Sequence, residues 1–286
     1  MPQDFWGRVL YILQNNGISY LNGAKNTMII AVVSTLIGCI IGFAVGIVQT
    51  IPISKKDNIF KRIVLRIIRF ILDAYVEIFR GTPMMAQAMF IYFGSAAVFG
   101  INMSMWFAAF FIVSINTGAY MAETVRGGIL SIDAGQTEGA KAIGMTHVQT
   151  MVNVILPQAL RNIMPQIGNN FIINIKDTSV MFIIGFIEFF AVHRTIVGIN
   201  NLYFPSAVIE MIGYLTLTLA ASLLLRLIEK KMDGASNYEL VQIDALAMSA
   251  GTYSHPDRGT PFDERSKEFR NRTKQELKFG RPKGDR

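Results

Sequence analysis

The organisation of this chain follows from one short polar stretch, Glu138-Gly139-Ala140-Lys141-Ala142-Ile143-Gly144, and from its continuation Val154-Ile155-Leu156-Pro157. The residues from Ala140 to Ile143 favour a helix, and Gly144 is suited to end it because glycine adopts the left-handed conformation without steric cost. A second helix is expected from about Thr146 until Pro157 breaks or restarts it. The stretch predicts two short helices joined by a tight turn, a shape suited to insertion into a cleft on a partner. An ordinary helical hairpin on a soluble face is the alternative.

The rest of the chain is too apolar for an average soluble domain. It has 286 residues, of which 51% are hydrophobic and 16% charged, and its mean hydropathy is +0.38. The 42 residues from Gly81 to Ala122 contain no Asp, Glu, Lys or Arg. A run of this length indicates two membrane spans with a turn between them. The one cysteine, Cys39, excludes a disulfide within the chain, and the N-terminus carries no cleavable signal pattern.

Apolar runs predict five spans, at about residues 24–48, 70–99, 104–124, 163–190 and 205–227. The second span is interrupted at Arg80-Gly81-Thr82-Pro83, where Pro83 removes a helix hydrogen bond. Residues 1–23 are amphipathic and predict an interfacial segment before a membrane domain at 24–231. Residues 232–286 lose hydrophobicity and predict a largely disordered cytoplasmic tail.

The first span carries a stripe of small residues. Gly38, Gly42 and Gly46 recur at every fourth position and so lie on one face of a helix. Such a stripe lets a second helix approach closely. We therefore expect this face to pack against another span.

The distribution of basic residues predicts the orientation in the membrane. The segments 50–69, 126–162 and 226–231 hold twelve Lys and Arg, whereas 1–25, 98–104 and 191–205 hold three. The positive-inside rule then places the first group in the cytoplasm, with the N-terminus outside and the C-terminus inside. The net charge of +7 mainly reflects this bias, so no nucleic-acid partner is implied.

The opening stretch resembles the EAA loop, the signature of the permease subunits of bacterial ATP-binding-cassette (ABC) importers. Glu138, Ala140, Gly144, Leu156 and Pro157 fall in register with that motif, Gly139 replaces its first Ala, and Val154 stands at its Ile position. Further stretches resemble the polar amino-acid branch of these permeases. They are Glu77–Pro83, Ala122–Gly128, Gly135–Glu138, Leu156–Arg161 and Lys176–Ser179.

This resemblance implies an all-α integral membrane protein with the five transmembrane helices of the type I ABC importer permease fold and a cytoplasmic coupling-helix loop. It implies that ATPase coupling runs through Glu138, Gly139, Ala140, Gly144, Leu156 and Pro157. The implied partners are an ATP-binding-cassette ATPase, a second permease copy or paralogue, an extracytoplasmic solute-binding protein, an amino-acid substrate and the bilayer of the bacterial cell membrane.

The residues agree with that division of labour. The sequence has no phosphate-binding Gly-x-x-x-x-Gly-Lys-Ser/Thr loop, so ATP is expected to bind to a partner and this chain to hold no cofactor. No set of His, Cys and carboxylates has metal-site spacing, and no nucleophile signature such as Gly-x-Ser-x-Gly occurs. No catalytic residue and no metal site are therefore predicted.

Charged residues inside the apolar spans are the candidates for a translocation path or gate. Lys176 and Asp177 lie roughly 20 Å along the fourth span beyond Ile163, near mid-membrane, where charge is costly. Glu77 and Arg80 on the second span and Glu123 on the third are possible partners, together with Asp73 and Arg126. These groups either line the path of an amino acid or form an ion-pair network that holds the helices and closes the gate.

Three functions compete at this stage. The first is the permease subunit of an ATP-driven importer of a polar amino acid. The second is a secondary transporter driven by Na⁺ or H⁺, which usually shows internal repeats that this chain lacks. The third is a membrane scaffold or receptor, which leaves the charges inside the spans unexplained. Dependence of uptake on ATP separates the first two.

Overall fold

The computed structural model describes residues 2–53 and 58–232, and these form a bundle of helices without a strand. The α-helices are α1 Phe5–Thr50, α2 Ile59–Gly81, α3 Met84–Phe99, α4 Met105–Leu130, α5 Ala134–Ala142, α6 His147–Thr150, α7 Leu156–Asp177, α8 Phe189–Asn200 and α9 Tyr203–Met232. A π-helical turn, Met151–Ile155, precedes α7, and a 3₁₀ segment, Thr178–Ile184, follows it.

The first helix is longer than predicted. α1 is 46 residues long and does not break at residue 23, so the segment predicted to be interfacial belongs to the same helix as the first span. At 1.5 Å per residue α1 is about 69 Å long, more than twice the thickness of a bilayer core. One face of its N-terminal part is buried against α8 and α9 through Val9, Ile12 and Tyr20. Because this packing buries apolar side chains of the N-terminal part, it stabilises α1 as one continuous helix through residue 23.

The glycine stripe of α1 lies against α4, as the spacing predicted. A Cβ on Gly38 would come within 2.7 Å of the Thr117 side chain, and one on Gly46 within 2.8 Å of the Ala122 carbonyl oxygen. Neither distance is tolerated by real side chains, so the two helix backbones approach as closely as they do only because these positions lack a Cβ.

We expect Gly42→Ala to destabilise the fold. The added Cβ would lie 2.8 Å from the carbonyl carbon of Met121 and 2.9 Å from the nitrogen of Ala122, both backbone atoms that cannot move alone. The free energy of unfolding should fall by about 1–3 kcal/mol, the usual cost of overpacking. The measurement is thermal unfolding in detergent. Gly17→Ala is the control on the same helix, because its Cβ would contact nothing. Equal melting temperatures for the two variants would contradict the packing argument.

The predicted interruption of the second span is present. α2 ends at Gly81, and α3 starts at Met84 with Pro83 as its N-cap residue. The thirty residues from 70 to 99 are therefore two helices joined at Thr82 and Pro83 rather than one. The break frees backbone carbonyl groups in an apolar region, and these need other donors.

The predicted fourth span, 163–190, is not one continuous helix. α7 ends at Asp177, the 3₁₀ segment follows, and Gly185 takes a left-handed conformation with φ +82° before α8 begins at Phe189. The apolar run from residue 180 to 187 hides this bend from any hydropathy argument. Together the two arms form a pair of helices bent by 50°.

By length and composition, three helices of the described residues qualify as membrane spans: α1, α4 and α9 over Tyr203–Ile228. The bent pair of α7 and α8 makes a fourth when counted as one span. The remaining predicted span corresponds to α2 and the short apolar helix α3. Residues 233–286 of the predicted tail lie outside the described residues. The domain boundaries at 23 and 231 stay predictions.

Candidate functional site

The polar segment between α4 and α7 begins with the well-capped helix α5. The Asp133 side chain accepts a hydrogen bond of 2.7 Å from the Gly135 nitrogen and so caps the first turn. At the other end, Gly144 takes φ +84°, its nitrogen donates to the Lys141 oxygen, and the Met145 nitrogen donates to the Ala140 oxygen, both at 3.0 Å. This is the Schellman pattern, and it gives Gly144 the helix-ending role that the sequence predicted.

The second arm of the segment starts at Thr146 with a capping box. The Thr146 hydroxyl accepts from the Gln149 nitrogen at 3.3 Å, and the Gln149 side chain accepts from the Thr146 nitrogen at 2.9 Å. Pro157 then stands in the first turn of α7, directly after the π-helical turn. A proline has no N–H to donate, and the wider π turn accommodates this. Pro157 thus restarts the helix rather than ending it.

The tip of this segment is exposed and unusually apolar for a polar connection. The exposed fractions of Ile143, Val148 and Val152 are 75%, 68% and 55%. Glu138, Gly139 and Gly144 are exposed too, and a Cβ on Gly139 would contact no atom of the described chain. A cavity of about 250 Å³ opens beside them, lined in part by Gly139, Ala140 and Ile143. Exposed apolar patches of this kind mark contact sites for other molecules.

The base of the segment is fixed to the membrane helices. Ala140 is buried, and the Gln158 amide on α7 donates to the Gln136 side-chain oxygen on α5 at 3.3 Å. Next to it, Ile155, Ala159 and Ile163 pack with Met121, Val125 and Ile129 of α4 in one apolar cluster, which Leu156 joins as a half-buried neighbour. These contacts join α5 to α4 and α7 through one continuous packed region.

The predicted charges are only partly brought together. Glu123 on α4 lies 2.6 Å from the Arg126 guanidinium and 3.6 Å from that of Arg80 on α2, and Arg80 also stacks on the Tyr120 ring with its centre at 5.7 Å. All three charged side chains are more than one third exposed. The cluster thus ties the broken end of α2 to α4 at a surface that this chain leaves uncovered.

The other three candidates lie apart from this cluster. Among the described residues, no ion pair or side-chain hydrogen bond joins Glu77, Lys176 or Asp177 to Arg80 or Glu123. Lys176 and Asp177 occupy the last two positions of α7, where Lys176 is exposed and Asp177 half-buried. In the described part of the chain, the α7 charges therefore form no ion pair with their possible partners Arg80 and Glu123.

A polar network that was not predicted from the sequence donates hydrogen bonds to the backbone carbonyl groups at the break between α2 and α3. The Gln87 amide donates to the Phe79 oxygen at 2.9 Å and to the Thr82 oxygen at 3.0 Å. The Asn116 amide of α4 donates to the Gln87 side-chain oxygen at 2.9 Å. Both amides are buried inside the uncharged run, and their position in an apolar span was the signal that could have identified them.

Two further networks join helices distant in sequence. Asn174 of α7 accepts from the Thr117 hydroxyl at 3.1 Å and donates to the Thr35 hydroxyl at 2.8 Å, which links α7 to α4 and α1. Glu188, to which the sequence assigned no role, is fully buried at the start of α8. These groups hold the bent α7–α8 region against α1.

The described residues contain no group of three or more His, Cys, Asp or Glu able to hold a metal ion. The buried histidine of the described residues, His193, lies 3.4 Å from Glu210 and shares a hydrogen bond of 2.8 Å with the Ser206 hydroxyl. Ser206 also shares a hydrogen bond with the Tyr20 hydroxyl. This row of polar side chains connects α8, α9 and α1.

Comparison with known proteins identifies the family. Residues 60–234 match the sequence pattern of one protein family. This family is described as "binding-protein-dependent transport system inner membrane component". The glutamine transport system permease protein GlnP of Escherichia coli K12 is 37% identical over 215 residues, which cover 74% of this chain and 92% of that protein. The arginine transport system permease protein ArtQ of Bacillus subtilis is 36% identical over 165 residues, covering 58% of this chain and 70% of its own.

A solved structure agrees with the fold. A chain in the crystal structure of an amino acid ABC transporter with histidines superimposes with a TM-score of 0.68 at 32% identity, covering 81% of this chain and all of that one. The predicted fold class, the all-α type I ABC importer permease, is confirmed. This chain belongs to the family of binding-protein-dependent transport system inner membrane components, and it is a multi-pass membrane permease component of an ABC transporter.

Proposed function

We propose that this chain forms the membrane-spanning part of an ATP-driven importer that moves a polar amino acid into the cell. The observation that carries the proposal is the segment from α5 to the start of α7, whose exposed apolar tip and anchored base suit the transfer of motion from a partner. The substrate class rests on the relatives, which are named as glutamine and arginine permeases. None of the relatives named above is described as ion-coupled, so the second transport mechanism has no support.

The proposed assembly contains separate chains for the remaining tasks. An ATP-binding-cassette ATPase would bind ATP and dock on the exposed tip around Ile143, Gly144 and Val148, which leaves this chain without a cofactor. A second permease copy or paralogue would cover the half-exposed cluster of Arg80, Glu123 and Arg126, because such charges inside a bilayer need protein or water around them. An extracytoplasmic solute-binding protein would deliver the amino acid.

The proposed orientation places the segment from α5 to α6 in the cytoplasm. Its support is the excess of basic residues in the segments on that side, twelve against three. The N-terminus is then outside and the C-terminus inside. A cysteine placed at Thr146 in a Cys39→Ser background should react with a membrane-impermeant maleimide only in inverted vesicles. Labelling of this cysteine in intact cells would show that the segment faces outside, contrary to the proposal.

The charged residues inside the spans divide into two proposed roles. Glu123 is paired with both Arg80 and Arg126 without substrate, which supports a network that holds α2 to α4 and closes the gate. Lys176 and Asp177 form no ion pair with another helix of the described chain and sit where α7 gives way to the 3₁₀ segment. They are the better candidates for contact with the translocation path or with the second permease.

We expect Lys176→Ala to impair assembly or gating more than substrate choice. Removing the ammonium group leaves Asp177 as an uncompensated carboxylate in the same turn, which is costly inside a membrane. The yield of complex and the rate of uptake should fall, whereas the order of competing amino acids stays the same. Lys25→Ala, an exposed lysine on α1, is the matched control. A changed substrate order with normal assembly would instead assign Lys176 to the lining of the path.

The decisive experiment is purification in mild detergent followed by reconstitution into sealed vesicles. We expect an ATPase and a second permease chain to co-purify, and uptake of a polar amino acid to require enclosed ATP and the solute-binding protein. A Na⁺ or H⁺ gradient without ATP should give no uptake. Gradient-driven uptake by the isolated chain would overturn the proposed function.

A further inference from the structure

The first half of α2 carries a basic face that neither the coupling segment nor the translocation path uses. Arg62, Arg66 and Arg69 are spaced by four and three residues, so their side chains lie on one side of the helix. Asp73, which begins the next turn of the same face, accepts a hydrogen bond of 2.8 Å from the Gln49 amide at the end of α1. This face therefore adjoins the end of α1.

The polar atoms at this place lack partners. Within the described residues, none of the three arginines takes part in an ion pair. Four side-chain polar atoms of the described chain are buried without a hydrogen-bond partner, namely Gln49 Oε1, Arg62 Nε, Arg69 Nε and Ser114 Oγ. Three of these four belong to this one region. Of these three atoms, Gln49 Oε1 is an acceptor and the two arginine Nε atoms are donors. Buried donors without acceptors are costly, so the two arginine Nε atoms point to a ligand with acceptor oxygens at this place.

The flank of the basic face is apolar and exposed. Ile59 and Phe60 are 70% and 73% exposed, and Ile63 and Ile67 follow one and two turns later, each about half exposed. A helix with basic residues on one side and large apolar residues on the other is suited to the boundary between headgroups and acyl chains. The basic face would meet phosphate groups while the apolar flank meets acyl chains.

A topology signal alone does not account for this arrangement. The positive-inside rule concerns the number of basic residues near the end of a span and is indifferent to the face on which they lie. Here the three arginines share one face, and two of them have buried, unpaired Nε atoms. An anion held at that face accounts for both features, because guanidinium groups bind phosphate oxygens with paired hydrogen bonds.

We propose that the first half of α2 is a binding site for anionic phospholipid in the leaflet where this helix begins. The headgroup phosphate is held by Arg62, Arg66 and Arg69, and the acyl chains lie along Ile63 and Ile67. With the orientation given above, this leaflet is the cytoplasmic one. The lipid site does not depend on the proposed transport function, because it lies at the N-terminal end of α2 whereas Arg80 lies at the C-terminal end.

The test is native mass spectrometry of the purified complex after exchange into phosphatidylglycerol or phosphatidylcholine. We expect the wild type to retain phosphatidylglycerol in preference to phosphatidylcholine. Arg66→Gln, at an exposed position where folding is not at risk, should weaken retention of phosphatidylglycerol roughly fivefold. The triple variant Arg62→Gln/Arg66→Gln/Arg69→Gln should abolish the preference. Arg226→Gln removes an exposed arginine near the end of α9 and should retain the lipid as the wild type does.

Several outcomes would overturn the proposal. Equal retention of the two lipids, or unchanged retention in both Arg66→Gln and the triple variant, would show that the basic face does not select anionic lipid. Displacement of phosphatidylglycerol by inorganic phosphate would identify a free anion as the ligand. An acidic protein that co-purifies at this face in place of lipid would make it a protein interface.

Discussion

Gly144→Asp is expected to reduce ATP-driven uptake roughly 100-fold, the upper part of the range for loss of coupling between two sites. Insertion into the membrane and the amount of folded chain should stay near the wild-type level. Gly144 is exposed, and nothing in the described chain lies within 4 Å of a Cβ placed there. The chain itself therefore has room for the new side chain, so a steric clash within the chain does not cause the effect.

The expected loss has two physical causes. The carboxylate would stand next to the C-terminal end of α5, where the helix dipole disfavours negative charge. It would also lie among Ile143, Val148 and Val152, which are exposed here but would be dehydrated against an ATPase. Burying an unpaired carboxylate in an apolar contact costs several kcal/mol unless it takes up a proton.

Two further variants separate charge from backbone strain. Gly144→Asn has the same shape without the charge, and Asn tolerates the left-handed conformation about as well as Asp does. Gly144→Ala adds strain of about 1–2 kcal/mol at φ +84° without a polar group. We expect Asn to retain most of the uptake, Ala to be intermediate and Asp to have the lowest uptake, with uptake and ATP hydrolysis measured together in vesicles. Uptake at the wild-type level in Gly144→Asp would contradict the proposed coupling role of this segment.

Features set by a residue and its immediate neighbours were predictable from the sequence. The turn at Gly144 needs a positive φ, which glycine supplies, and the structure has it. The break at Pro83 likewise depends on local backbone chemistry. The stripe of Gly38, Gly42 and Gly46 was predictable too, because a period of four residues marks one helix face.

Features set by distant contacts were not predictable. Asn116 and Gln87 look like isolated amides in an apolar run, and only the packing of α3 on α4 shows that they satisfy the break in the second span. The end of α7 at Asp177 was missed because the residues that follow are as apolar as a continuing helix would be. Glu77 and Arg80 were possible partners of Lys176 because of their depth alone, and depth in a span does not fix which face a side chain takes.

Glu188 is the buried group whose removal should cost the fold most. Its carboxylate accepts hydrogen bonds from the Ala191 nitrogen at 2.7 Å, the Phe190 nitrogen at 2.8 Å and the Tyr214 hydroxyl at 2.9 Å. The Thr27 hydroxyl of α1 donates to a carboxylate oxygen of Glu188 at 3.5 Å. The same hydroxyl accepts a hydrogen bond of 3.2 Å from the Phe189 nitrogen. One side chain thus caps α8 and links it to α1 and α9.

We expect Glu188→Ala to lower the free energy of unfolding by roughly 3 kcal/mol. The loss combines an uncapped helix start, worth about 0.5–2 kcal/mol, with an unpaired Tyr214 hydroxyl, worth about 1–3 kcal/mol. Glu188→Gln should be intermediate, because one amide oxygen replaces two acceptor oxygens while the shape is kept. The measurement is unfolding in mixed micelles together with the yield of assembled complex.

The matched control is Glu77→Ala, the same substitution at an exposed carboxylate without an ion pair in the described chain. Its unfolding should stay close to the wild type even if uptake changes, because the side chain holds no helix in place. Since Glu188 joins three helices around the bend at Gly185, its loss should also release the contact of α8 with the N-terminal half of α1, which limited proteolysis near Gly17 would detect. Equal stability of the two alanine variants would mean that packing alone, through Val9, Ile12 and Val192, holds this junction.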